Sequence, residues 1–174
     1  SKRDITNGKE LPGAKLEIRD ADGSLVEGWT SGKVPHTVRG LELEKEYTLT
    51  EKRAPDGYAE AESIVFKLVQ EGTEQVNEVY VKSDDDWAKL DNATIIMQDA
   101  PVLDIDKTDI AGNLLPGATL TIRDAGGEVI DTWVTDYKTH RVPISDEFIK
   151  LSGETKEYIY TLTEDAAPAG FEIA

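Results

Sequence analysis

Tyr47-Thr48-Leu49-Thr50-Glu51, followed by Ala54-Pro55-Asp56-Gly57-Tyr58, is the stretch that decides the fold. Its first half alternates from one side to the other in the manner of a half-buried strand. The Pro-x-Gly that follows is turn chemistry. Both halves return later, as Tyr160-Thr161-Leu162-Thr163-Glu164 and Ala167-Pro168-Ala169-Gly170-Phe171. Working outward, Leu11-Pro12-Gly13-Ala14 returns as Leu115-Pro116-Gly117-Ala118, and Leu16-Glu17-Ile18-Arg19-Asp20 as Leu120-Thr121-Ile122-Arg123-Asp124. Trp29 pairs with Trp133, His36 with His140, and Lys2-Arg3-Asp4-Ile5 with Lys107-Thr108-Asp109-Ile110. The order never changes, so the chain is a duplicated domain. The boundary falls near Ala100-Pro101, giving units 1–100 and 101–174.

The segments between turns are short and alternate with period two. Asp22-Gly23 and Gly126-Gly127 read as hairpin turns. Leu-Pro-Gly-Ala stands before a strand in both copies. No window sustains a long amphipathic helix, so the expected fold is all-β, two sandwiches in tandem. The first copy runs on from Tyr58 through Ile64-Val65-Phe66-Lys67-Leu68 and Val76-Asn77-Glu78-Val79-Tyr80-Val81 to Ile95-Ile96-Met97. The second has no such continuation and reads as truncated, lacking its C-terminal strands; the whole reads as a window on a longer array. Asp84-Asp85-Asp86-Trp87 reads as a solvated loop or short turn.

Composition bounds the function. The 174 residues carry 19 Lys+Arg against 35 Asp+Glu, a net charge of -16. Each unit contributes -8, from 13 basic and 21 acidic groups in the first and 6 and 14 in the second. That balance excludes partners held through a basic patch, such as nucleic acid or an anionic membrane surface. With no Cys there is no disulfide framework, thiolate metal site or thiol nucleophile. Two His are too few for a histidine metal cage. No apolar run approaches the roughly 18 residues of a membrane span. No metal, cofactor or membrane insertion is expected.

Alternation also places charges inward. Leu103, Ile105 and Lys107 share the apolar side of a strand. Tyr158, Tyr160, Leu162 and Glu164 share another such side, and Tyr47, Leu49 and Glu51 repeat it. Ile95, Met97 and Asp99 share a side near the end of the first unit. The first unit thus turns a Lys, a Glu and an Asp toward its core. An isolated buried charge is costly unless it pairs or neutralises. Burial lowers the pKa of an amine and raises that of a carboxyl group. A neutral amine is a nucleophile and a protonated carboxyl an electrophile, so Lys2 and Asp99 could condense with loss of water. Glu51 between them would relay the proton, and the fold would supply the proximity. A plain buried Lys–carboxylate ion pair satisfies the same pattern.

At these residues the sequence resembles the Cna B-type domains, with a transthyretin-like or prealbumin-like fold, of Gram-positive surface adhesins and pilins. The matching segments are Ser1-Lys2-Arg3-Asp4, Gly8-Lys9-Glu10-Leu11-Pro12-Gly13-Ala14, Glu51-Lys52-Arg53-Ala54-Pro55-Asp56-Gly57-Tyr58 and Ile95-Ile96-Met97-Gln98-Asp99-Ala100. The resemblance implies tandem immunoglobulin-like sandwiches and a spontaneous intramolecular isopeptide bond. It assigns the nucleophile to Lys2, the electrophile to Asp99 and the catalytic role to Glu51; Asn92 is a fallback electrophile. Lys107 and Glu164 match the second set, whose electrophile is absent from the chain unless a separate polypeptide supplies it. The implied protein is a stalk of a secreted, cell-wall-anchored surface adhesin or pilus protein, acting in cell adhesion, with the anchor outside this sequence. Its partners would be neighbouring domains of the same protein. It would be no enzyme, because the crosslink forms once per molecule. The alternative is an adhesive module that binds a host protein or glycan.

Other signals carry less. Asp20-Ala21-Asp22-Gly23-Ser24 faintly resembles the start of a calcium loop, but the twelfth position is Ser31 rather than Glu; a hairpin turn is expected. Trp29 and Trp133 are expected in core packing, and His36 and His140 in packing or surface roles. No phosphate loop or nucleophile elbow is present.

Overall fold

The computed structural model describes residues 1–70, 77–144 and 160–173. Tyr158 and Val76 of the patterns above lie outside the described residues. The described residues form strands and turns with no helix, in two compact units, Ser1–Pro101 and Val102–Ala174. No helix is therefore long and apolar enough to cross a membrane.

In the first unit, β1 (Lys2–Asp4) lies parallel to β8 (Met97–Asp99), pairing Lys2 with Met97 and Asp4 with Asp99. The other strands are β2 (Lys15–Asp20), β3 (Leu25–Thr30), β4 (Glu46–Arg53), β5 (Ile64–Gln70), β6 (Asn77–Ser83) and β7 (Asp86–Lys89). They make one antiparallel sheet in the order β3-β2-β4-β5-β6-β7. Alternation explains its buried face: Leu16 and Ile18 of β2, Tyr47 and Leu49 of β4, Phe66 of β5 and Val79 of β6 form one cluster. Met97 of β8 closes that cluster at 2% exposure, so the β1–β8 pair forms the layer across from the sheet. Asp20 builds the hairpin turn as expected: its Oδ1 accepts the amides of Asp22 and Ser24, and Gly23 takes φ +81°.

The second unit repeats the start of this plan. β10 (Thr119–Arg123) pairs with β11 (Val129–Val134) and β13 (Thr161–Ala166) as β2 pairs with β3 and β4. Even the irregularities recur. A register shift interrupts Ile18/Arg19 and Ile122/Arg123, and another interrupts Lys15/Leu16 and Thr119/Leu120. A separate ladder joins β9 (Val102–Ile105) to β12 (His140–Pro143).

Three expectations need correction. Asp84 and Asp85 do form a turn, but Asp86 and Trp87 open β7, where Trp87 packs under the Lys67 ammonium 4.7 Å from its ring centre. β9 stops at Ile105, so Lys107 follows the strand instead of lying in it. The faces of the second unit are only partly covered: Leu103 and Leu162 are 43% and 49% exposed, whereas Leu49, the counterpart of Leu162, is 7% exposed. No strand among the second unit's described residues corresponds to β8. An open cleft of about 200 Å³ remains, lined by Leu103, Ile122, Ile130, Val142 and Tyr160 among others.

Candidate functional site

Each member of the first triad reaches the core from a different strand. Lys2 comes from β1, Glu51 from β4 and Asp99 from β8, and they are 3%, 4% and 1% exposed. Lys2 Nζ donates a hydrogen bond to Asp99 Oδ1 and lies 3.1 Å from Glu51 Oε1. Glu51 Oε2 accepts the Ala61 amide at 2.8 Å. Among the described residues no donor reaches Asp99 Oδ2, an arrangement costly for a charged carboxylate. Burial pushes the Asp99 carboxyl up to about 7; the neighbouring Lys2 ammonium pulls it down and the Glu51 charge pushes it further up. One Lys nitrogen thus faces two buried carboxyl groups and is in contact with that of Asp99.

A bulge sets the Glu51 position. Leu16 pairs with Glu51 and Lys15 with Arg53, so Lys52 is the extra residue. In the second unit Leu120 pairs with Glu164 and Thr119 with Ala166, leaving Asp165 extra. Both units therefore kink β4 or its counterpart immediately after the Glu. Lys107 Nζ and Glu164 Oε2 are 3.0 Å apart, but the Lys107 side chain is 17% exposed against 1% for Lys2. Asn92 is exposed and its Oδ1 accepts the Thr94 amide, so the structure does not bring it to Lys2.

Features invisible to the sequence reading surround the site. Asp4 accepts hydrogen bonds from the Thr6 amide and hydroxyl, the Asn7 side chain and the Tyr58 hydroxyl. Burial pushes the Asp4 carboxyl up, but those four donors outweigh it and hold the group below its ordinary range. Ser31 Oγ accepts the Ala14 amide and donates to Leu11 O, pinning the Leu-Pro-Gly-Ala segment. Thr135 repeats this with Ala118 and Leu115. The recurrence of a hydroxyl two residues after each Trp was the available signal. Each Trp also has a polar companion: Trp29 stacks on His36 and Trp133 on His140, with ring centres 4.5 and 3.9 Å apart. Each imidazole bonds an acid on the preceding strand, Glu27 at 2.6 Å and Asp131 at 2.7 Å. Trp29 packs against the core cluster from its margin and is only partly buried.

Among the described residues no group of three or more His, Asp or Glu has the geometry to hold a metal ion.

The family model named "SpaA: Prealbumin-like fold domain" matches residues 1–86, within the first unit, which bears out the resemblance read from the sequence. Among solved structures, the chain is similar to the TIE protein of Bacillus anthracis, at 24% identity and a TM-score of 0.33, over 99% of this chain and 29% of that one. It is similar to the pilus adhesin SpaC of Lactobacillus rhamnosus GG, at 16% identity and a TM-score of 0.36, over 98% of this chain and 24% of that one. The open conformation of SpaC gives 15% identity and a TM-score of 0.34, again over 98% and 24%. The chain therefore spans only 24–29% of the length of these proteins. No curated protein matches.

Proposed function

We propose that the chain is a pair of stalk domains from a bacterial surface adhesin or pilus protein, the first locked by an isopeptide bond between Lys2 and Asp99. The observation that carries this reading is the buried contact of Lys2 Nζ with Asp99 beside Glu51. Lys2 Nζ attacks Asp99 Cγ, one Cγ–O bond breaks, and that oxygen leaves as water. Both protons of the water come from the Lys2 ammonium, carried by Glu51, which ends the step as it began. Burial of Lys2, Glu51 and Asp99 keeps solvent from the reacting atoms. The step happens once per molecule and turns over no substrate.

The bond closes a loop between residues 97 apart in sequence. By the loop-entropy relation used for disulfides, that constraint is worth roughly 4–5 kcal/mol. An amide resists reduction, which suits a Cys-free stalk outside the cell. For the second unit, the reading assigns Lys107 and Glu164 the same roles, with the carboxyl or carboxamide brought by a strand of a separate polypeptide. Intact mass after full denaturation tests the reading. A chain lighter by one water supports it, and the full calculated mass overturns it.

A further inference from the structure

One four-residue stretch, Tyr58–Ala61, is bonded to Glu51 and to the segments that carry Lys2 and Asp99. The Tyr58 hydroxyl donates to Asp4 Oδ2 at 2.9 Å. Asp4 lies two residues beyond Lys2 on β1 and directly opposite Asp99. The Ala59 amide donates to Ala100 O at 2.9 Å, one residue beyond Asp99, and Tyr58 bridges to Pro101. The Ala61 amide donates to Glu51 Oε2 at 2.8 Å. The nucleophile's strand, the electrophile's strand and the carboxylate between them are thus tied to a single short segment.

Most of the Asp4 ties are local. Thr6 and Asn7 lie two and three residues away, while Tyr58 is 54 residues away. Removing the phenolic oxygen leaves this buried carboxylate three donors, so the loop at residues 4–8 stays satisfied. What is lost is the one link from this carboxylate to the 58–61 segment.

The second unit makes the comparison within the same molecule. Its turn closes identically, with Phe171 N on Pro168 O and Tyr58 N on Pro55 O both at 3.1 Å. Phe171 has no hydroxyl. Asp109, the counterpart of Asp4, bonds the Asn113 side chain and the amides of Ala111 and Asn113 instead. Phe171 and Ile173 are 51% and 61% exposed, and the Lys107 side chain is less buried than Lys2.

The geometry points to Tyr58 as a positioning residue for the crosslink: through Asp4 its hydroxyl fastens the 58–61 segment to β1, and that segment sets the Asp99 strand and the Glu51 carboxylate. It rests on the isopeptide reading. Tyr58 touches no reacting atom and acts on alignment alone. Misplacement of reacting groups by about 1 Å can cost on the order of a hundredfold in rate.

The test follows bond formation as chains are made. The full chain is synthesised in a cell-free system, and samples are denatured at intervals and weighed for loss of one water. Tyr58→Phe, Asp4→Asn and the double variant are compared with the unsubstituted chain, at a temperature where circular dichroism shows each folded. Tyr58→Phe keeps the ring, so a role in packing alone would leave the rate unmoved. The expected result is a rate lower by about tenfold or more for Tyr58→Phe, with the double variant no slower than the slower single one. A wild-type rate in Tyr58→Phe, or effects that multiply in the double variant, overturns the positioning role while the crosslink stands. No water loss in the unsubstituted chain overturns the crosslink itself.

Discussion

Glu51 stands opposite Leu16 in register and between an ammonium and an acid, an expensive place for a carboxylate with no task. Its replacement separates the proposed chemistry from simple ion pairing. Glu51→Gln keeps the size and an acceptor for the Ala61 amide but removes the proton carrier. The expected product is a chain at the variant's own full calculated mass after denaturation, with no water lost. Its first unit should lose roughly 4–5 kcal/mol of stability, the value of the missing loop constraint; a chain still lighter by one water refutes the assignment. The same variant exposes the titration of Asp99. Burial, the largest cause of its upward shift, remains, so in the fold the carboxyl binds its proton more tightly than the ordinary value of 3.8 allows. That contribution to stability is whole below about pH 4 and is lost as pH rises through the raised pKa of the buried carboxyl. Denaturant midpoints of Glu51→Gln should therefore be lower at pH 8 than at pH 4, the unfolding free energy changing by no more than about 1.4 kcal/mol per pH unit. An equal or higher midpoint at pH 8 refutes the shift.

At the scale of elements, the hydroxyl staple between Leu-Pro-Gly-Ala and the end of β3 offers a comparison already made by the repeat. Ser31→Ala leaves the Ala14 amide and the Leu11 carbonyl without their buried partner and should cost about 1–3 kcal/mol. Ser31→Thr should keep most of the stability, because Thr135 holds the same two positions in the second unit. Chemical denaturation of both variants checks the pair, and equal losses would refute the staple. Much of this level was legible in the sequence. Period-two alternation put Tyr47, Leu49 and Glu51 on one face, and Ile95, Met97 and Asp99 on another, because strand geometry leaves a side chain two directions only. The turn at Asp20 was legible from Asp-Gly chemistry. Alternation carries no information on where pairing stops or what covers a face. Hence the early end of β9 at Ile105, the exposure of Leu162 and the strand begun by Asp86 differ from the expectation. The bulge after Glu51 and the bond from Tyr58 to Asp4 depend on register between distant segments, which a single sequence does not record.

For the whole molecule, the two units differ in what closes them. The first has β8 with its acid; the described residues of the second have a Lys–Glu pair, an open cleft and no counterpart of β8. Calorimetry should resolve two transitions, and Glu51→Gln should lower only the one belonging to the first unit. A single transition lowered as a whole would show that the units melt together. A peptide with the sequence of residues 93–100 probes the second unit directly. Its mass less one water, added to the chain at Lys107, is expected; an unchanged mass would show that this site does not accept such a strand. On the proposed reading, the sequence separation of Lys2 from Asp99 has a consequence for survival outside the cell. With the amide in place, the polypeptide from residue 2 to residue 99 is a covalent ring. A protease that nicks it once, for instance in the exposed run from Gly32 to Thr37, opens the ring without parting the chain. The cell would keep its grip through a lesion that severs an ordinary tether, and a second cut inside the same ring could release only a fragment.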